Sequence, residues 1–243
     1  MARSDELDQL LKNLHLRKIL DLLDEELERA QKRDVSYQEL LLRLFRAQWH
    51  HRQERSLECR IKRAKLPCTW TLESFPFKRQ TGVSARQIRS LAGLEFVAKA
   101  ENVVFVGPTG VGKTGLATGL VLKALQNGQR AIFVKAQDLF DEMYSSLADR
   151  STRKLVNQLA KIDLLCIDEL GYLTIKAEQA NIFFKLMEER YTRRSTIITT
   201  NMAYDDWHSL LGNRSMTEAL LSRLRHHCHT INIDGPSLRD PQG

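Results

Sequence analysis

The architecture this sequence predicts is an α/β fold, a central parallel sheet flanked by helices, preceded by a small all-helical N-terminal domain. Three observations predict it. From residue 102 onward, short apolar runs alternate with amphipathic stretches of helical length, the pattern of a parallel sheet covered on both faces. The first run leads straight into Gly107-Pro108-Thr109-Gly110-Val111-Gly112-Lys113-Thr114, a glycine-rich loop between a strand and a helix. Before residue 67, leucines recur instead at three- and four-residue spacing. A length of 243 residues suits one full domain and a smaller one.

Leu7, Leu10, Leu11, Leu14, Leu16, Ile19, Leu20, Leu23 and Leu27 form one apolar stripe and predict a single helix of about two dozen residues. A break is expected at Lys32-Arg33-Asp34. Ser36, with Glu39 three residues on, predicts a capping box that opens a second helix. Its apolar positions are Leu40, Leu41, Leu44, Phe45 and Trp49, and Pro67 ends the helical region. Two helices cannot bury both stripes alone, so they are expected to pack on each other, on the next domain or on a neighbouring subunit. Residues 1–66 are thus one domain and 67–100 a connecting segment, punctuated by Phe75-Pro76-Phe77 and Gly82, with a short helix over 85–98. Residues 101–243 form the α/β domain, with strands predicted at 103–106, 131–134, 162–167, 196–199 and 230–233. Helices are predicted near 113–126, 138–148, 152–160, 177–191 and 216–227.

An apolar fraction of 42% with 28% charged residues excludes wholesale disorder. No run approaches the ~18 apolar residues of a membrane span, and the first residues lack the pattern of a signal peptide. A cytoplasmic protein is expected. The cysteines Cys59, Cys68, Cys166 and Cys228 include no Cys-x-x-Cys pair, and in a reduced compartment no disulfide framework is expected. His226-His227-Cys228-His229 reads as a polar helix end entering a strand, because adjacent ligands rarely converge on one ion.

The net charge is +7, unevenly spread. Residues 1–42 carry 7 basic and 10 acidic side chains, whereas residues 43–65 carry 8 basic (Arg43, Arg46, Arg52, Arg55, Arg60, Lys62, Arg63, Lys65) and 2 acidic. Trp49, His50 and His51 interleave with that run. A basic, aromatic-bearing helix suits a polyphosphate backbone, and a solvated helix face is the equal alternative on composition alone.

The loop from Gly107 to Thr114 satisfies G-x-x-x-x-G-K-[ST]. Its glycines let backbone N–H groups surround a phosphate at a helix N-terminus. Lys113 then reaches the β- and γ-phosphates of ATP, and the Thr114 hydroxyl coordinates Mg2+. Leu164-Leu165-Cys166-Ile167-Asp168-Glu169 is an apolar strand ending in two acids. At that sheet edge Asp168 can hold the metal and Glu169 can orient or deprotonate an attacking water. The guanine-reading Asn-Lys-x-Asp and the His-Arg-Asp kinase loop are absent from the sequence, which leaves ATP hydrolysis coupled to conformational change. Thr199-Thr200-Asn201 ends the next strand, where Asn201 can contact the water or γ-phosphate or simply form a turn. Arg223, Arg225 and Arg239 can stabilise phosphoryl charge in cis or from a neighbouring subunit. They, like Arg190, Arg193 and Arg194, read otherwise as surface residues.

GPTGVGKT, LLCIDELGY, STIITTN, the Asp-Asp-Trp at 205–207, ALLSRL and GPSLR occur in the order seen in AAA+ ATPases of the IstB/DnaC group. The chain resembles the IstB-type transposition helper ATPases of bacterial insertion sequences over nearly its whole length. The resemblance implies an AAA+ P-loop NTPase, with Asn201 as sensor 1, Arg223 as the arginine finger reaching a neighbour's nucleotide and Arg239 as sensor 2. Leu238 stands where relatives often carry an aromatic residue and Ser222 where many carry Asp. Arg190 matches a recurrent Arg-Tyr pair to which no task attaches. By resemblance, such proteins form homo-oligomers with ATP at subunit interfaces on duplex DNA and recruit and stimulate a cognate transposase. The 43–65 run then becomes a DNA contact. A helicase loader of the DnaC type, with residues 1–30 as a docking helix, is the alternative. A scaffold that binds but does not hydrolyse ATP is disfavoured by Glu169.

Overall fold

The computed structural model describes residues 4–67, 70–80, 82–171 and 173–239; Cys68 and Tyr172 of the motifs above lie outside them. The chain forms two compact units, one up to Cys59 and one from Arg60 onward.

The first unit is helical. Where one helix was expected over residues 7–27, there are two, α1 (Asp5–Asn13) and α2 (Arg17–Arg33). His15 takes a left-handed backbone (φ 56°), and Leu16 N–H and His15 N–H donate to the carbonyls of Leu11 and Lys12. That is a Schellman stop, which places an apolar contact between the residues flanking the turn. Leu11 and Leu16 join one cluster with Ile19, Leu23 and Leu44, so the spacing that mimics a continuous helix is the spacing the stop requires. Asp34, also left-handed, ends α2 at the expected break. Ser36 Oγ accepts the Glu39 N–H at 3.2 Å, and α3 (Tyr37–Ala64) follows. The Glu39 carboxylate takes Arg43 Nε at 2.9 Å. The buried Gln48 accepts the N–H groups of Lys18 and Ile19 and so caps α2 from α3. Of the stripe expected on α3, Leu44 is buried, whereas Leu41, Phe45 and Trp49 are exposed, Trp49 by 58%.

The second unit opens with the last turn of α3, where Arg60 Nε donates to the Leu125 carbonyl at 3.1 Å. The helix expected over 85–98 is also two, α4 (Ala85–Ala92) and α5 (Glu95–Ala98), divided at the left-handed Leu94. Then come β1 (Asn102–Val106), α6 (Lys113–Gln126), β2 (Ala131–Lys135), α7 (Ala136–Ala148), α8 (Thr152–Ala160) and β3 (Leu164–Leu170). They are followed by α9 (Ala177–Arg190), β4 (Ser195–Thr200), α10 (Trp207–Leu211), α11 (Arg214–His226) and β5 (Cys228–Asn232). The strands form one parallel sheet in the order β2-β3-β4-β1-β5. Helices cover the sheet, and Val103, Val104, Phe105, Leu164, Leu165, Ile167, Ile197 and Ile198 are fully buried. Every crossover brings a strand's C-terminal end to one edge, which is where the loop and the acid pair meet.

Arg190, expected at the surface, is 1% exposed. Its guanidinium donates to Thr196 Oγ1 (3.0 Å) and to the carbonyls of Leu159 (2.7 Å), Ile162 (2.8 Å) and Ser195. Burial holds its pKa down to about 9. It ties the end of α8 to the start of β4. α11 ends at His226 and β5 begins at Cys228, as the His-rich segment predicted. Tyr191 hydroxyl pairs with His226 Nδ1 and Glu101 with His229 Nε2, so those rings serve separate contacts.

Candidate functional site: a phosphate loop facing an acid pair

β1 delivers the chain to Gly107, whose N–H still donates to the Thr200 carbonyl. A Cβ on Gly107 would lie 2.3 Å from the Ile233 carbonyl oxygen, so only glycine admits this approach. Gly110 (φ 87°) and Gly112 (φ 96°) make the turn. α6 then starts at Lys113, and its free N–H groups face the loop. Lys113 Nζ donates to the Gly107 and Pro108 carbonyls, both at 2.7 Å, which holds the ammonium across the loop's mouth. Burial lowers its pKa, opposed by the nearby Asp168.

Asp168, 2% exposed, ends the unbroken buried run of β3, after which Glu169 is exposed and Leu170 buried again. Thr114 Oγ1 donates towards its two carboxylate oxygens at 3.0 and 3.1 Å, and Thr199 Oγ1 donates at 2.5 Å. Burial raises the pKa of this carboxyl, and the two hydroxyls oppose the rise. Thr199 Oγ1 also accepts the Glu169 N–H at 2.9 Å. Glu169 itself has φ 62° at a bulge, where the β3–β4 register shifts between Ile167 and Leu170. A non-glycine residue in that region is strained. The bulge turns the Glu169 side chain outward, with Lys135 Nζ 3.9 Å from Oε2, while Asp168 stays inside.

A cleft of about 370 Å³ opens here, the size of a small-ligand site. Gly110, Gly112, Lys113, Thr114, Glu169 and Arg239 line it among the expected residues. Thr109 lines it too, while Val111 is buried behind the loop. Three further contributors were not expected. Thr199 binds both acids. Trp70 lines the cleft, its ring so close over Gly115 that a Cβ there would lie 2.5 Å away. The fully buried Gln80 donates to the carbonyls of Val111 (3.0 Å) and Pro236 (3.1 Å), bracing the loop against the segment that carries Arg239. Leu238 N–H donates to the Gly110 carbonyl at 2.8 Å, which completes that brace. Thr199 leaves little signal in the sequence, since β4 carries hydroxyls at Ser195, Thr196 and Thr200 as well. Gln80 leaves none, since its partners are backbone atoms.

Gly107, Pro108 and Asp168 lie behind the cleft lining, and Asn201 and Arg223 are not brought into it. Asn201 lies just past β4, beside Gly171, where a Cβ would lie 2.6 Å from its Oδ1. Arg223 donates to its own helix at the Ala219 carbonyl (3.1 Å), with Glu188 3.9 Å away and the Phe184 ring 5.5 Å away.

The oxygen pair from Thr114 and Asp168 is a hard-donor set that fits Mg2+, and the glycine cradle with Lys113 fits a polyphosphate. The sequence profile of IstB-like ATP binding proteins matches residues 9–242. This chain belongs to that family. It is 38% identical over 234 residues to the insertion sequence IS21 ATP-binding protein of Pseudomonas aeruginosa, covering 96% of this chain and 88% of that one. It is 34% identical over 226 residues to the corresponding protein of insertion sequence IS5376 from Geobacillus stearothermophilus, covering 93% and 90%. Among solved structures, the DnaC helicase loader superposes with a TM-score of 0.58 at 23% identity, over 70% of this chain and 99% of that one. AMPPCP-bound DnaA from Aquifex aeolicus gives 0.59 at 20% identity, over 70% and 51%. The fold is therefore the AAA+ P-loop NTPase fold expected, and the family is one of ATP-binding proteins. Among the described residues no helix is long and apolar enough to cross a membrane.

Proposed function

We propose that this family member hydrolyses ATP with Mg2+ and works as a DNA-dependent transposition helper. It would assemble into a homo-oligomer with nucleotide at subunit interfaces, engage duplex target DNA and recruit or stimulate a cognate transposase. The observation that carries hydrolysis is the split of the acid pair by the bulge: Asp168 inward on Thr114, Glu169 outward into the cleft. Mg2+, when bound by Thr114 and Asp168, would neutralise charge on the phosphates. Glu169 takes the proton of the attacking water as its oxygen bonds to the γ-phosphorus. The β–γ bridging P–O bond breaks, leaving ADP and inorganic phosphate. Lys113 and Arg239 stabilise the equatorial and leaving oxygens.

Arg223 supports an interface site, since it lies half-buried on α11, off its own chain's cleft, where it would serve a neighbour as a finger after leaving Glu188. Asn201 would act as sensor 1 and Arg239, which lines the cleft, as sensor 2. Residues 1–66 would supply DNA and oligomer contacts to the nucleotide domain at 101–243. Arg46, Arg55, Lys62, Arg63 and Lys65 are exposed on or just past α3 and suit phosphate contacts. Arg43 pairs with Glu39, Arg52 reaches the carbonyls ending α1, and Arg60 is engaged at α6. The insertion-sequence names of the relatives support the transposition reading.

The test is fluorescence anisotropy with labelled duplex and single-stranded DNA of equal length, with and without ATP and Mg2+, on wild type and Glu169→Gln. The expected result is ATP-dependent binding that favours duplex. The variant should keep ATP binding, lose about 10²–10⁴-fold in kcat and hold DNA longer. A single-strand preference would instead support a helicase loader. Normal hydrolysis by Glu169→Gln would remove the base from this scheme.

A further inference from the structure

Three glycines at three- and four-residue spacing, Gly112, Gly115 and Gly119, open one side of the start of α6 to the segment 70–75. A Cβ at these positions would lie 2.7 Å from the Phe75 ring, 2.5 Å from the Trp70 ring and 2.6 Å from Leu72, so each glycine seats one of those side chains. The segment is tied at its own turn. Thr71 and Ser74 each donate a backbone N–H to the other's hydroxyl, both at 3.2 Å, and Ser74 Oγ donates to the Thr71 carbonyl at 2.9 Å. Leu72 and Phe75 are buried there, whereas Trp70 keeps 37% of its surface exposed and lines the cleft. The Phe75 ring stands edge-on to it, with centroids 6.2 Å apart. Apart from Leu238, the other side chains of that lining, among the described residues, belong to threonine, lysine, glutamate and arginine.

We propose that Trp70 is the platform on which the base of the bound nucleotide stacks, a subsite that rests on the reading of this cleft as an ATP site. With the β- and γ-phosphates on Lys113 and the metal on Thr114 and Asp168, the nucleoside leaves the loop along the first turn of α6. Gly115 follows Thr114 on that turn, and the Trp70 ring covers it. A base has two apolar faces and a polar edge, so it gains most from a flat aromatic surface when it leaves water. Leu238 offers only a small aliphatic group, close to Gly112. Trp70 offers a large ring already fixed by the Thr71–Ser74 turn and by Phe75, so little ordering cost falls on binding. A ring that served packing alone would be sealed as Leu72 and Phe75 are; this one is left open to the cleft. Stacking reads the face common to all bases. Trp70 therefore sets the affinity for the base and not the choice of adenine over guanine.

The test is calorimetric titration of the full chain with AMPPCP and Mg2+, as wild type, Trp70→Ala and Trp70→Phe, with inorganic tripolyphosphate as the ligand that lacks a base. Trp70→Ala should bind AMPPCP on the order of 10- to 100-fold more weakly, yet hold tripolyphosphate within about 2-fold of wild type. Trp70→Phe should recover most of the loss. A second comparison uses the corresponding analogues of ATP and CTP. Trp70→Ala should lose more affinity for the purine, whose larger ring system stacks over more area. Equal weakening towards AMPPCP and tripolyphosphate would make Trp70 a prop for the phosphate loop and overturn the proposal. An equal loss for purine and pyrimidine would overturn it too, and unchanged AMPPCP affinity in Trp70→Ala would place the base elsewhere. Failure of the wild type to bind AMPPCP would instead sink the broader reading of the cleft.

Discussion

The two units of this chain solve the same burial problem to different degrees. In the nucleotide unit the central strands are sealed on both faces, and even an arginine, Arg190, is enclosed with four hydrogen-bond acceptors. In the helical unit the core is one small cluster around Leu11, Ile19, Leu23 and Leu44, while Leu7, Leu10, Leu14, Leu41, Phe45 and Trp49 are exposed. Single exposed apolar residues are commonplace, but here they recur along both α1 and α3. The lesson is about where chemistry can be placed. Strain and buried charge, as at Glu169, Asp168 and Arg190, are held only where the surroundings over-determine them.

The sharpest way to break the comparison is to open the sealed unit at Arg190. Arg190→Met removes the guanidinium and leaves the carbonyls of Leu159, Ile162 and Ser195 and the Thr196 hydroxyl without their donor. A destabilisation of about 3–5 kcal/mol is expected. Denaturant titration should show a lower midpoint. An unfolding free energy within ~0.5 kcal/mol of wild type would mean that water replaces the guanidinium, and that the sealing is less complete than the contacts imply.

A smaller effect should follow at Thr199, which touches both acids at once. Thr199→Val keeps the shape of the strand but removes the donor to Asp168 and the acceptor for the Glu169 N–H. Catalysis should fall about 10-fold, the size of one or two positioning hydrogen bonds. The drop should appear in kcat with little change in ATP affinity, and the dependence on Mg2+ concentration should shift upward. Loss of ATP binding instead would make Thr199 a structural support for the loop rather than a positioning residue.

The legibility of the sequence divides along the same line. Parallel strands covered on both faces leave apolar runs that nothing else explains, and the phosphate loop needs glycines at fixed spacing, so the sheet, the loop and the acid pair were all readable. What was not readable is set by single backbone angles and backbone partners. His15 and Leu94 end helices in a left-handed conformation without being glycine, so one apolar period covers two helices on either side. Gln80 and Arg190 act on main-chain carbonyls, which carry no residue identity to pair with in a sequence. Thr199 lay inside a recognised strand, yet its role depends on the register that sets β4 beside β3.

The smallest effect on folding should come from the helical unit, and there the comparison is most exposed to failure. Phe45→Ser with Trp49→Ser removes two aromatic rings that are each more than half exposed. Surface changes of this kind alter unfolding stability by less than about 0.5 kcal/mol. If the stripe on α3 is covered by another chain, the same pair should weaken self-association by far more, since aromatic residues dominate interface energetics. Light scattering across a protein dilution series, with and without ATP, reads this directly. The expected outcome is an unchanged melting temperature with assembly shifted to higher concentration. A fall in melting temperature at high dilution would place those rings in the chain's own core, and the helical unit would then be as closed as its neighbour.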